Sequence, residues 1–186
     1  MTLYNILDLI NPIPEESKQA LSLISNTVKL PKGHLLMQAD KVEHTLYFIK
    51  TGVVRAFSNY DEGEITFWFG QEGDTILSML NYVEQKRSYE NIELITTCEL
   101  YEVHISAINK LYETDIHIAN LGRKIAEKEL VRLEQRIISR QILPAKERYE
   151  ELIKNHPNLI KQVPLKFIAS YLGITQVSLS RIRKEI

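Results

Sequence analysis

The segment ASYLGITQVSLSRIRKEI, residues 169–186, constrains the fold of this chain more than any other stretch. Gly173 can adopt the left-handed conformation that lets two helices cross at a steep angle within a short turn. Ala169 allows the two helices to approach closely, and Thr175 is a good N-cap for the second one. Apolar residues occupy the positions that such a pair of helices buries: Ile168, Leu172, Ile174, Leu179 and Ile182. The segment therefore predicts a helix-turn-helix unit.

The second of these helices is predicted to expose a polar and basic face. An amide side chain suits adenine, an arginine suits N7 and O6 of guanine, a valine can contact a thymine methyl group, and cations suit phosphates. The alternative is a solvated basic face on an ordinary packing helix or hairpin, which leaves the complete Ala, Gly and apolar spacing unexplained. We therefore expect this unit to bind double-stranded DNA. The predicted contact residues are Lys166, Thr175, Gln176, Val177, Ser180, Arg181, Arg183 and Lys184.

The charge of the chain is divided unevenly between its two halves. The 186 residues carry a formal net charge of -1. Residues 1–110 hold 9 basic and 15 acidic side chains, whereas residues 111–186 hold 14 basic and 9 acidic ones. The C-terminal half is the positive one, which fits a chain that approaches an anionic polymer with that end only.

The sequence has no feature of a membrane or secreted protein. No apolar run approaches the roughly 18 to 20 residues that span a bilayer, and the N-terminus lacks the basic start of a signal peptide. We therefore expect no membrane partner and a cytoplasmic location.

The single cysteine, Cys98, lies in an alternating apolar run and is expected to be a buried thiol without a redox role.

The first part of the chain has the pattern of a β-rich domain. Two short helices are predicted at the N-terminus, interrupted at Pro12. From Thr27 onward, short segments rich in Val, Ile, Thr, Tyr and Phe alternate with turns that contain Gly, Asp and Glu. Short strands with a turn about every eight to twelve residues predict an antiparallel sandwich or barrel-like fold.

A proline-free helical stretch follows over residues 114–142. Its apolar residues lie three, four or five positions apart, so the apolar stripe drifts around a helix of about 25 residues. Such a helix must bury one side on its own domain and another elsewhere, and a second copy of itself is the economical partner. The alternative is two ordinary helices, broken near Gly122 and packed inside a monomer. The stripe consists of Ile118, Leu121, Ile125, Leu130, Leu133 and Ile137.

Together, the β-rich region, the long helix and the C-terminal VPLKFIASYLGITQVSLSRIRKEI resemble the CRP/FNR family of bacterial transcription regulators, over essentially the whole chain. The resemblance implies an α+β fold with an antiparallel, jelly-roll-like double-stranded β-roll as sensor, a long dimerisation helix and a C-terminal, winged helix-turn-helix domain. We place these units at residues 1–112, 113–140 and 141–186. The resemblance also implies a homodimer joined along the helix of residues 113–140 and an effector of unknown identity.

The resemblance further implies a ligand pocket in the β-roll, but its nucleotide-binding pattern is incomplete here. Family members that bind cyclic nucleotides use a Gly-Glu pair for the ribose and an Arg-Ser pair, followed by a small residue, for the cyclic phosphate. This chain has Leu77 and Ser78 in place of the Gly-Glu pair, and Tyr89 in place of the small residue. We therefore expect poor binding of cyclic AMP and no resident cofactor, with another small molecule or none as the effector. The candidate pocket residues are Gly73, Asp74, Ser78, Arg87, Ser88 and Tyr89.

We expect neither a metal site nor catalysis. Iron-sulfur sensing needs several cysteines, and the five histidines lack the short spacing of a zinc site, although His34 and His44 could meet across strands. A β-roll also resembles cupins, so the rival interpretation is a cupin-like small-molecule-binding protein or enzyme without a DNA role. Such enzymes need clustered His and Glu ligands, and no His-x-His group occurs. A ligand-binding scaffold is a third interpretation, but it leaves the C-terminal unit unexplained.

Overall fold

The computed structural model describes residues 1–61 and 63–186 of the chain. It begins with two helices, α1 (Leu3–Ile10) and α2 (Glu15–Leu23). The described residues then form eight strands and one short helix: β1 (Ser25–Leu30), β2 (Leu35–Met37), β3 (Thr45–Thr51), β4 (Val54–Tyr60), β5 (Gly63–Gly70), β6 (Thr75–Ile76), α3 (Met79–Glu84), β7 (Asn91–Leu94) and β8 (Cys98–His104). Six helices follow: α4 (Ile105–Thr114), α5 (Ile116–Ile142), α6 (Ala145–Asn155), α7 (Pro157–Gln162), α8 (Leu165–Leu172) and α9 (Gln176–Ile182).

The strands form two antiparallel four-stranded sheets, in the orders β1-β8-β3-β6 and β2-β7-β4-β5. Side chains alternate between the two faces of each strand, and the inward ones fill the space between the sheets. This core includes Met37, Ile49, Val54, Ile76, Ile92, Leu94 and Leu100, together with the free thiol of Cys98. The predicted antiparallel β-roll is therefore confirmed.

A second core fixes the N-terminal helices and the start of α5 to the β-roll. Its buried members come from α1, α2, β3, β8, α4 and α5, and include Ile6, Leu7, Leu21, Phe48, Ile108, Ile118 and Leu121. Asp115 separates α4 from α5, because its carboxylate accepts the N–H groups of His117 at 2.8 Å and Ile118 at 3.2 Å and so caps the new helix. The boundary predicted at residue 113 therefore falls in the last turn of α4.

Helix α5 is continuous over 27 residues and passes through Gly122 without a break. Tyr112 of α4 packs against this glycine, and a Cβ atom there would lie only 2.8 Å from the tyrosine hydroxyl. The glycine thus permits close packing of α4 on α5, which accounts for its place in a long helix better than a break does. Further along, Leu130, Leu133 and Ile137 remain 66%, 51% and 48% exposed.

Helices α6 to α9 share a third core with Val53 and Ile95 of the β-roll. Its members from the helices are Tyr149, Leu152, Leu159, Val163, Phe167, Ile168, Ala169, Leu172 and Leu179. Pro144 lies between α5 and α6. Pro157 starts α7, because proline at the first helical position is compatible with a helix start. No strand follows β8 in the described residues, so the wing implied by the resemblance has no counterpart there.

We predict that Ile118→Ala lowers the free energy of unfolding by about 2–5 kcal/mol, because Ile118 is fully buried between α5 and the β-roll. Ile116→Ala is the matched control on the same helix, since Ile116 is 68% exposed and its truncation should change stability by no more than about 0.5 kcal/mol. Urea unfolding followed by circular dichroism measures both. Equal losses in the two variants would contradict the anchoring of α5 described above.

Candidate functional site

The helix-turn-helix unit turns at Gly173, which has the left-handed dihedral angles φ 69° and ψ 36°. Its N–H donates to the carbonyl of Ser170, and that of Ile174 donates to the carbonyl of Ala169, both at 3.0 Å, so the turn closes the end of α8. Thr175 caps α9 by accepting the N–H of Ser178 at 3.1 Å. The local geometry follows from the spacing of Ala169, Gly173 and Thr175.

Helix α9 presents one side to solvent. Gln176, Val177, Arg181, Arg183 and Lys184 are exposed, and Ser180 is half-buried. Val177 is 62% exposed although it is apolar, and it lies on the same face as the cations. Among the described residues, no carboxylate lies within salt-bridge distance of Arg181, Arg183 or Lys184. The predicted contact residues thus form one open, positively charged surface, with Thr175 at its edge.

Lys166 lies apart from this surface, on α8. It is exposed, and its ammonium group lies 4.5 Å from the centre of the Phe167 ring. The structure therefore brings together seven of the eight predicted contact residues on α9 and its flanks, and places the eighth on the preceding helix.

Helix α8 is docked on the outer edge of β5. As the last strand of its sheet, β5 has backbone groups without a strand partner on that side. The hydroxyl of Ser170 serves two of them: it accepts the N–H of Thr66 at 2.9 Å and donates to the carbonyl of Glu64 at 3.1 Å. The helix-turn-helix unit is therefore fixed to the β-roll by hydrogen bonds that replace a missing strand.

A buried arginine lies beneath this docking contact. Arg55 of β4 is 3% exposed, and its guanidinium pairs with Glu64 and Glu93, each at 2.9 Å. Two aromatic rings flank the guanidinium group. Its central carbon lies 4.0 Å from the centre of the Phe57 ring and 3.5 Å from the centre of the Phe167 ring of α8. Phe167 thus completes the enclosure of a charge that belongs to the β-roll.

A cleft of about 1210 Å³ runs along α5 between the β-roll and helices α6 and α8. Aromatic side chains are prominent on its walls, including Phe67, Trp68, Phe69, Tyr89, Tyr112 and Tyr171. Mixed apolar and polar walls of this kind are typical of small-molecule sites. This cleft is the candidate effector site.

The structure places only part of the predicted pocket on the wall of the cleft. Asp74 and Tyr89 line the cleft, and Ser78 is buried beside it at the start of α3. Gly73 lies in the turn after β5 and donates its N–H to the carbonyl of Ile49 at 2.9 Å. Arg87 is exposed on the loop after α3, and neither it nor Ser88 lines the cleft.

A polar network across the cleft was missed by the sequence analysis. Trp68 of β5 donates to Glu129 of α5 at 3.3 Å, and Arg132 pairs with Glu129 and with Asp74, each at 2.8 Å. Burial raises the pKa of Glu129, which Arg132 partly offsets. The only signal in the sequence was the i, i+3 spacing of Glu129 and Arg132, which is common on exposed helices.

The histidines pair differently from expectation. His44 stacks on His104, with ring centres 6.1 Å apart, whereas the sequence suggests that His34 and His44 meet across strands. Within residues 1–61 and 63–186, no group of three or more His, Cys, Asp or Glu side chains could hold a metal ion.

His156, at the α6–α7 junction, contacts Gln71 of the β-roll at 3.1 Å, and burial lowers the pKa of this histidine.

Comparison with known proteins identifies the fold. Residues 27–115 match the family of the cyclic nucleotide-binding domain. The FixK2 protein of Bradyrhizobium japonicum has a similar structure, with a TM-score of 0.76, 18% identity and coverage of 87% of this chain and 84% of that one. Residues 27–115 thus resemble a cyclic nucleotide-binding domain, and the chain has the fold of CRP/FNR structures.

Two further structures share this CRP/FNR fold. The c-di-GMP responsive regulator CLP of Xanthomonas campestris has a TM-score of 0.74 and 15% identity, and the match covers 92% of this chain and 91% of that one. A protein assigned to the CRP/FNR family from Eubacterium rectale has a TM-score of 0.76 and 17% identity, with coverage of 97% and 87%. No curated protein gives a significant sequence match. The likeness at these identities concerns the fold.

None of the helices in the described part of this CRP/FNR fold is long and apolar enough to cross a membrane. The cleft lies between the cyclic nucleotide-binding domain and α5, and the exposed face of α9 lies on the C-terminal unit. The candidate effector site and the candidate DNA surface are therefore separate regions of the chain, joined by β5, α5 and α8.

We predict that Ser170→Ala destabilises the protein by about 1–3 kcal/mol, because the N–H of the fully buried Thr66 loses its acceptor. Amide hydrogen exchange at Thr66 should quicken at the same time. Ser139→Ala is the matched control: it gains the same helix propensity but removes only an exposed hydrogen bond to Glu151. An unchanged exchange rate at Thr66 in Ser170→Ala would show that the docking contact is not retained in solution.

Proposed function

We propose that this protein is a homodimeric, sequence-specific DNA-binding regulator of transcription, located in the cytoplasm and controlled by a small molecule. The observation that carries the proposal is the open face of α9. There an amide, a valine and three cations that pair with no carboxylate of the described residues share one exposed surface. Buried packing helices do not need such a face, whereas a recognition helix does. The proposal includes no catalytic activity.

The side chains on α9 fit distinct tasks in a major groove. Gln176 and Arg181 carry groups that pair with adenine and with guanine, and the exposed Val177 suits a thymine methyl group. Arg183 and Lys184, at the end of the helix, suit phosphates, which fix position without reading sequence. We therefore assign base recognition to the start and middle of α9 and backbone contact to its end.

Helix α5 supports the proposed dimer. Its exposed Leu130, Leu133 and Ile137 follow a three-then-four spacing that matches a packing seam between two helices. A dimer formed along α5 would carry two α9 helices, and the resemblance implies that these enter successive major grooves about 34–36 Å apart.

The effector is proposed from the position of the cleft. CLP is a c-di-GMP responsive regulator, so a protein of this fold responds to a small molecule. In this chain, the cleft is lined by both β5 and α8, and α8 holds the helix-turn-helix unit in place. A ligand that changes either wall can therefore alter how the two α9 helices are presented.

We predict that Arg181→Ala weakens binding to the preferred operator by about 1–3 kcal/mol and reduces the base specificity at one position of the operator. Lys184→Ala should weaken binding to all sequences alike and reduce the salt dependence by about one phosphate contact. A selection of bound fragments from genomic DNA, followed by gel-shift titration at several salt concentrations, measures both effects.

Lys29→Ala is the matched control for these variants, because Lys29 is an exposed cation on β1 of the sensor domain. It should leave affinity and salt dependence unchanged. If all three variants bind DNA as the parent protein does, α9 is not the recognition helix.

We predict that Leu133→Glu converts the dimer to a monomer and weakens operator binding by at least about 100-fold, because the two half-sites are no longer held together. Gln135→Glu, an exposed position on the same helix outside the stripe, adds the same charge and should leave the dimer intact. Native mass spectrometry counts the subunits. A parent protein that is monomeric, or a Leu133→Glu variant that stays dimeric, would rule out this interface.

A further inference from the structure

The β-roll wall of the cleft contains a carboxylate on its inward face. Glu90 lies immediately before β7 and two residues before Ile92, which is 3% exposed. Because side chains two positions apart on an extended strand share a face, Glu90 is directed to the same side as this core residue. Glu90 is itself 4% exposed and lines the cleft.

This carboxylate lacks a partner. The Oε2 atom of Glu90 is buried and accepts no hydrogen bond from the described residues. The hydroxyl of Thr75, another residue on the cleft wall, is also buried and without a partner there. A buried acceptor left in this state costs free energy that a donor from a bound molecule would recover.

The neighbours of Glu90 on the cleft wall are mainly apolar. Ala56, Phe67, Tyr89 and Ile92 line the same wall, with the rings of Phe67 and Tyr89 6.1 Å apart. Apolar surroundings favour a ligand whose body is apolar or aromatic, and they strengthen one hydrogen bond at the carboxylate.

The geometry points to an effector that is a small, largely aromatic or apolar molecule with one protonated amine or hydroxyl group, which donates a hydrogen bond to Glu90. This inference deepens the proposed function, on which it rests, by naming the chemical class of the effector. Glu90 then determines which molecules bind in the cleft.

The same geometry disfavours a phosphate group at this wall. Glu90 repels an anion, and Arg87 is exposed on a loop away from the cleft. The hydroxyl of Ser88 is used by the chain itself, since it lies 3.1 Å from the carbonyl of Gln38 and 3.3 Å from that of Glu90. The set of groups that would hold a cyclic phosphate is therefore dispersed.

The far side of the cleft carries five arginines, so the preference stated above concerns only the β-roll wall around Glu90. They are Arg123, Arg132, Arg136, Arg140 and Arg148. Arg132 is paired with Asp74 and Glu129, and Arg148 donates to the carbonyls of Arg140 and Leu172, each at 3.0 Å. Arg132 thus joins α5 to the β-roll, and Arg148 joins α6 to α5 and α8, while its buried Nε has no acceptor among the described residues. On the β-roll wall, the buried carboxylate oxygen without a partner in the described part of the chain is that of Glu90.

Trp68 allows a direct test, because it lines the cleft and is the only tryptophan in the sequence. Its fluorescence in the full-length protein is titrated with four probes: 3-phenylpropylamine, 3-phenylpropanol, 3-phenylpropionate and cyclic AMP. The amine and the alcohol should bind, with the amine tighter, and the two anions should bind at least about tenfold more weakly than the amine.

Glu90→Gln removes the charge and keeps the shape, so it should weaken the amine at least about tenfold and change the alcohol by no more than about threefold. Glu84→Gln is the matched control, since Glu84 is an exposed carboxylate on α3 outside the cleft. It should leave all four affinities unchanged. Thermal melting of each variant checks folding, and Glu90→Gln should not lower the melting temperature, because the lost charge has no partner.

The inference is overturned if neither donor probe binds, if an anionic probe binds as tightly as the amine, or if Glu90→Gln leaves amine affinity intact. The titration involves no DNA, so its outcome is separable from that of the gel shift. Amine binding without operator binding overturns the regulator alone, and operator binding without amine binding overturns the effector class alone.

Discussion

The seating of α8 on the free edge of β5 is the contact on which the placement of the helix-turn-helix unit chiefly depends. An edge strand must have its backbone groups covered or solvated, and here Ser170 covers two of them. The position of α9 is therefore set by the β-roll of the same chain. The strand that accepts α8 also contributes Phe67, Trp68 and Phe69 to the cleft, so β5 touches both candidate sites.

Undocking α8 would lose some interactions at this contact and regain others. Arg55 is buried together with Glu64 and Glu93 on the β-roll itself, so the charge stays paired whether or not α8 is present. Undocking loses the stacking of Phe167, the two hydrogen bonds of Ser170 and some apolar burial, while the newly exposed ions regain water. The proposed effector would act on this balance of lost and regained interactions.

The sequence predicts what is local and misses what depends on distant strands. Gly173, Ala169 and Thr175 act within a few residues of one another, so their spacing was enough to predict the C-terminal turn. The β-roll was predicted from its turns and alternation, and the single α5 helix from its missing prolines. Glu90 could not be recognised as a wall residue, because its burial depends on how β7 pairs with β2 and β4. Arg87 was selected by resemblance, and the loop after α3 directs it to solvent instead.

Helix α5 connects the separate parts of the molecule because each of its faces has a different neighbour. Its first turns are fixed in the β-roll core by Ile118 and Leu121. Arg136, further along, lies 4.7 Å from the centre of the Tyr171 ring of α8, which in turn lies 5.1 Å from the Phe69 ring of β5. This stack joins β5, α5 and α8 at a single point on the cleft wall. A molecule that displaces Phe69 or Tyr171 must therefore move all three elements together, whereas one bound beside Glu90 acts on them through β5 alone.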